Sequence, residues 1–228
     1  MWASEAIALL AERAADQWGL VTAAQAVTAG VERNVLTRLT AAGIIRRLDH
    51  AVYQIVGATD VRFLDEKVAW LRLAPGRTLL SRQPLDTDGG VLSHRSATKL
   101  HCIGDLAAPA VEIIVPVRRQ SRNLSITLRR RLLDPADVTT VEALPVTTVE
   151  RTITDLAAEH VDGGHLGDLI ADAQVRGILD RRELARRIAI HGPAYGTPPY
   201  GDELIEYLLH QAGRTPICAA AGGRQEAS

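Results

Sequence analysis

The chain has 228 residues and a formal net charge of −1, a length that two domains of ordinary size would fill, with a real core in the second. No apolar run reaches the ~18–20 residues needed to cross a bilayer, and no basic stretch followed by a hydrophobic one opens the chain, so neither a membrane span nor a secretory leader is expected. Two cysteines, Cys102 and Cys218, make no disulfide framework, so the expected compartment is the reducing cytoplasm. Lys67 and Lys99 are the only lysines among 26 basic residues, and alanine is abundant. GC-rich coding accounts for that bias before any selection for phosphate-binding guanidinium groups does.

The first helix holds Glu5, Glu12 and Asp16. Thr22 then reads as an N-cap for a short helix over 23–29. Gly30 stands where the chain must turn sharply, a place for left-handed backbone angles. A second helix follows over 31–42, ended by Gly43. At about 100° per residue, Val35, Leu36 and Leu39 share one face. Arg33, Asn34, Thr37 and Ala41 lie opposite, with Arg38 on the flank. Segments 44–48 and 52–55 read as a β-ribbon with Arg46, Arg47 and His50 near its tip. Helix, tight turn, helix and ribbon is the order of a winged helix-turn-helix, which places its second helix in the major groove of DNA. Arg, Asn and Thr suit base edges, and the ribbon arginines and His50 suit phosphates.

Charge tempers that reading. Residues 1–57 carry five basic and five acidic side chains, whereas DNA modules are usually basic, because phosphate neutralisation supplies most of their affinity. The acids of the first helix fall away from the proposed DNA face. A single copy should still bind weakly, and two half-sites, through a dimer or paired binding, would remedy this.

Beyond a break near 57–60 the elements are mixed. A helix capped by Asp60 runs to 73, with Phe63, Val68, Leu71 and the Ala69–Trp70 pair on its apolar side. Ser93 can cap another over 94–103. Segments 111–117 and 124–128 read as strands joined by a turn, and 138–141 with 145–148 as a further hairpin. Helices follow over 149–158, 165–176, 181–190 and 202–211, with a Gly-Pro-rich linker at 191–201 and a poorly ordered tail over 217–228. Strands followed by helices imply an α+β domain over 59–216. Its charge is uneven: 58–135 is +5 and 136–228 is −6, which suggests an interaction surface.

Within it, Arg118, Arg119, Arg122, Arg129, Arg130 and Arg131 fall in 14 residues without an acid among them. They are either a solvated turn, a second contact to DNA backbone, or a docking face for an acidic protein or its nucleotide substrate. Catalytic signatures are few. There is no Walker glycine loop and no protein-kinase signature set. His94, His101 and Cys102 miss the usual i, i+4 metal spacing, so no metal and no cofactor is expected.

The run GLVTAAQAVTAGVERNVLTRLTAAGIIRRLDHAVYQIVGA resembles the N-terminal domain of the AbiEi family of antitoxins. The resemblance is carried by Trp18-Gly19, the helix end from Leu39 to Ile44, Arg46-Arg47 and Ala51-Val52-Tyr53, with Ala51 in the family's usual glycine position. Segments LSHRSATKLHCIGDL and VEIIVPVRRQSRNLSITLRRRLLDPADVTTVEALPVTTVERTITDLA are similar to the second domain of actinobacterial members. The resemblance implies a winged helix-turn-helix over 1–58, operator DNA as one partner and a cognate nucleotidyltransferase-like toxin, encoded alongside, as the other, with autorepression of the shared operon. Two alternatives stay open. One is a stand-alone repressor. The other is an atypical phosphotransferase that inactivates the toxin, using His94, Arg95 and Ser96 with the arginines.

Overall fold

The computed structural model describes residues 2–57, 61–121 and 123–214. Helix α1 (Ala3–Ala15) buries Ala6, Leu10 and Ala14. Strand β1 (Leu20–Thr22) leads into α2 (Ala23–Thr28). The Thr22 hydroxyl accepts from the Gln25 amide at 3.1 Å, and the Gln25 side chain accepts from the Thr22 amide at 2.9 Å. This reciprocal pair satisfies two donors that the helix start would otherwise leave open. Gly30 takes φ of +89°, and α3 (Arg33–Ala41) buries Val35, Leu36 and Leu39 as its periodicity predicts. After Gly43 come β2 (Ile45–Asp49) and β3 (Val52–Ile55), an antiparallel ribbon with an irregularity between Arg47 and Asp49.

Strand β1, not foreseen in the sequence, pairs antiparallel with β3 and completes a three-stranded sheet in the order β1-β3-β2. Three residues are too few to show alternation, and all three are buried.

A second sheet follows, in the order β6-β5-β4-β8-β7. It is built from β4 (Val91–Leu92), β5 (Val111–Val115), β6 (Ile126–Arg130), β7 (Val138–Val141) and β8 (Leu144–Thr147). Between them lie α4 (Leu64–Leu73) and α5 (His94–His101). Asp60, expected to cap α4, lies outside the described residues; Phe63, with φ of +56°, stands at that helix start. The turn between β7 and β8, Glu142-Ala143, has both residues at positive φ, as two-residue hairpins require.

One expectation is corrected. The strands at 111–117 and 124–128 are not a hairpin: β5 and β6 pair in parallel, Val111 opposite Ile126 and Val115 opposite Arg130. The intervening ten residues therefore carry the chain back along the whole strand instead of turning it around.

The chain divides into two compact units, the described parts of Met1–Ser96 with Pro109–Val146, and of Ala97–Ala108 with Thr147–Ser228. In the first unit, the Trp18 indole donates to the Glu142 carbonyl at 2.9 Å and stands edge-on to Trp70 at 6.5 Å. Lys67 is held beneath it, 5.1 Å from the Trp18 ring and 3.7 Å from Glu142. Burial lowers the Lys67 pKa, and the neighbouring Glu142 carboxylate opposes that.

The second unit is helical: α6 (Val149–Ala158), α7 (Gly163–Val175), α8 (Arg181–Ile188) and α9 (Gly201–Gln211). Thr148, Asp162 and Asp180 cap the first three through side-chain oxygens. Leu156, Leu166, Leu169, Ile170, Leu184 and Leu208 form its core. Helices α7 and α9 touch at Gly167, where a Cβ would stand 2.0 Å from the Leu208 carbonyl oxygen. The segment at 191–201 is corrected from linker to packed structure. Residues Ala189–Tyr195 form a 3₁₀ helix with Gly192 buried, and the Tyr195 hydroxyl donates to the Val161 carbonyl at 2.8 Å. Burial, with Asp162 nearby, pushes that hydroxyl up to about 12.

Candidate nucleic-acid interface

The buried stripe of α3 fixes what its opposite face presents. Arg33, Asn34, Thr37 and Arg38 are all exposed. Thr37 Oγ1 bonds back to the Arg33 carbonyl at 3.2 Å. Asn34 is not idle: its Nδ2 donates to Glu32 Oε2 at 3.0 Å. Glu32, the residue at the start of α3, went unnoticed in the sequence although it stands two positions from Asn34 on the same exposed turn.

Past Gly43 the chain enters the ribbon, where Arg46, Arg47 and His50 are exposed as well. Arg46 donates to Gln54 Oε1 across β3 at 2.7 Å. Arg47 Nε reaches the Asp49 carbonyl at 3.3 Å, and its NH2 lies 3.4 Å from His50 Nδ1. The ribbon tip is therefore internally ordered, with its guanidinium groups oriented by short-range bonds. Asp49 puts an acid among these cations, and Arg72 of α4 pairs with it. Asn123 Nδ2 also approaches Asp49, at 3.5 Å. Ala51, at the ribbon turn, has φ of +60°, the left-handed region where glycine costs nothing and alanine is strained.

The described members of the arginine cluster differ in their surroundings. Arg129 pairs with Glu112 at 2.7 Å, a carboxylate that β5 supplies beside it and that Arg95 also approaches, at 3.9 Å. Arg119 donates to the carbonyls of Leu73 and Thr87 at 2.8 and 2.6 Å. Arg118, Arg130 and Arg131 are exposed. Arg122 lies outside the described residues. The sequence shows no acid within the cluster, but strand pairing supplies one from 17 positions earlier. His94 and Ser96 are fully buried. Ser96 Oγ accepts from the Glu112 amide at 2.9 Å, and His94 Nδ1 lies 2.9 Å from Ser93 Oγ. His101 Nε2 meets the Thr147 carbonyl at 2.8 Å.

Residues 9–56 match the family model described as "Transcriptional regulator, AbiEi antitoxin". The N-terminal region is thus similar to that AbiEi domain. Its match spans the end of α1, the helix pair and the whole ribbon, so the exposed α3 face belongs to an element set shared with transcriptional regulators and antitoxins. The whole chain resembles a solved structure, the RV2827C protein from Mycobacterium tuberculosis. The two share 17% identity and a TM-score of 0.51, covering 92% of this chain and 78% of that one. At that identity the likeness speaks for the fold. No curated protein sequence matches the chain. Among the described residues, no helix is long and apolar enough to cross a membrane.

Proposed function

We propose that this protein is the antitoxin of a toxin–antitoxin pair. In this reading it represses its own operon by binding DNA, and it neutralises a cognate nucleotidyltransferase-like toxin in the cytoplasm. The observation that carries the DNA half is the exposure of Arg33, Asn34, Thr37 and Arg38 on the outer face of α3, together with that of the ribbon cations Arg46, Arg47 and His50. Arg and Asn make bidentate bonds to guanine and adenine edges, and the ribbon cations meet phosphates. The AbiEi match supports the regulator and antitoxin roles. The near-neutral charge of the N-terminal region would leave a single copy binding weakly, which a pair of copies on two half-sites would remedy.

Gel shifts on the upstream region of the gene test this. An Arg33→Ala or Asn34→Ala substitution costs about 1–3 kcal/mol and relaxes sequence preference. Arg46→Ala or Arg47→Ala weakens binding to all sequences and flattens the salt dependence. Unchanged affinity in the Arg33→Ala, Asn34→Ala double variant would overturn the assignment. For the toxin half, co-expression with the adjacent gene should show protection. The phosphotransferase alternative gains nothing from the geometry, because His94 and Ser96 are buried and engaged with Ser93 and Glu112.

A further inference from the structure

Among the described residues, strand β6 ends the five-stranded sheet, with β5 as its one neighbour. The hydrogen-bond pattern tells which of its backbone groups face outward. Ser125 accepts from Val111, and the Arg131 amide donates to the Val115 carbonyl. Alternate residues 125, 127, 129 and 131 thus bond inward, so the N–H and C=O groups of Leu128 and Arg130 point away from the sheet.

Three further observations lie on this strand. Leu124 and Leu132, just beyond its two ends, are 97% and 84% exposed. A groove of about 370 Å³ runs along one face of it, with Ile126, Leu128, Ala69 and Leu73 as apolar floor and Arg72 and Arg119 at the rim. No acid occurs from residue 113 to 133, and Arg118, Arg130 and Arg131 are exposed.

We propose that β6 is an acceptor edge: an extended, acidic segment of a partner protein adds to the sheet as a sixth strand beside it. Main-chain bonds to Leu128 and Arg130 would supply affinity. The groove would take alternate side chains of the incoming strand, and the arginines would select acids. Natural proteins blunt exposed edges with prolines, bulges or covering loops, and β6 has no proline of its own. A second copy of this chain is the poorer occupant, since it would bring arginines against arginines. The inference deepens the toxin half of the proposed function and rests on it for the partner's identity.

The test uses the full-length protein and the purified product of the adjacent gene. Arg130→Pro removes one outward N–H at an edge position where proline is tolerated, so the fold should persist by circular dichroism. Binding should weaken by about tenfold or more, while Arg130→Ala, which removes charge alone, should weaken it by about threefold. Hydrogen exchange at the Leu128 and Arg130 amides should slow in the complex. Wild-type affinity in Arg130→Pro, or unprotected amides, overturns the acceptor edge and leaves the antitoxin reading standing. Absence of binding by the wild type overturns the acceptor edge, and absence of protection in co-expression overturns the antitoxin reading as well. Protection of the same amides without the partner, rising with protein concentration, overturns it in favour of self-pairing. An Arg118→Ala, Arg130→Ala, Arg131→Ala variant that loses DNA affinity yet keeps the partner overturns it in favour of a DNA contact.

Discussion

Gln17 and Gln25 exchange amide hydrogen bonds in both directions, Nε2 of each donating to Oε1 of the other at 3.0 and 2.9 Å. Both side chains are buried. Each also reaches the segment after α4: Gln25 Nε2 donates to the Arg77 carbonyl at 2.8 Å, and Gln17 Oε1 accepts from the Leu79 amide at 3.0 Å. One amide pair thus ties the end of α1, the start of α2 and residues 77–79 together. Truncating either glutamine leaves buried partners unsatisfied, at about 1–3 kcal/mol. Urea unfolding should show that loss for Gln25→Ala and for Gln17→Ala, with a double variant well short of the sum.

The same bonds bear on dissection of the chain. A fragment beginning near residue 59 loses Trp18 from above Lys67 and Trp70, and Gln17 and Gln25 from Arg77 and Leu79. It should melt below the intact protein and expose apolar surface to a hydrophobic dye. A fragment with full-length thermal stability would show that these contacts contribute little.

Ala51 offers a change in the other direction. Its φ of +60° is strained for alanine, and its carbonyl still accepts from the Ala23 amide, a bond that any residue there retains. Ala51→Gly should stabilise the protein by about 0.5–1 kcal/mol. Thermal melts check this, and a fall in melting temperature would contradict the strain.

Glu32 holds Asn34 at 3.0 Å in the unbound protein and puts a negative charge on the proposed DNA face. Glu32→Gln keeps the shape and removes the charge. DNA affinity should rise several-fold at low salt and converge with the wild type as salt screens the difference. Equal affinity at low salt would place Glu32 away from the DNA.

Acid should destabilise the second unit through His101. Burial lowers its pKa below the ordinary 6.5, outweighing the Thr147 carbonyl and Glu150, which raise it, and Arg176 adds to the lowering. Its folded pKa is depressed, so between the folded value and 6.5 the unfolded chain binds more protons. The contribution is therefore complete above pH 6.5 and is lost as pH falls through the folded value. His191 shifts the same way, by burial first and then His160. Melting temperature should drop between about pH 7 and pH 5, and His101→Asn should flatten that drop.

The sequence by itself determined the local elements of the N-terminal region. Thr22 as an N-cap, the turn at Gly30, the helix end at Gly43, and the spacing of Val35, Leu36 and Leu39 are short-range signals, carried by residues within a turn or two of one another. They sufficed to expose Arg33, Asn34, Thr37 and Arg38 on one face, and the helix over 149–158 was readable to the residue for the same reason. What only the tertiary structure decided is pairing over distance. Strand direction is not written in a run of β-branched residues, so the parallel register of β5 and β6 could not be read from it. Nor could Glu112, which meets Arg129 only because that register sets the two strands side by side. The linker composition of 191–201 misled because glycine also serves close packing: at Gly192 a Cβ would stand 2.3 Å from the Pro198 carbonyl oxygen. Composition reports which conformations a segment tolerates, and packing partners far along the chain select among them.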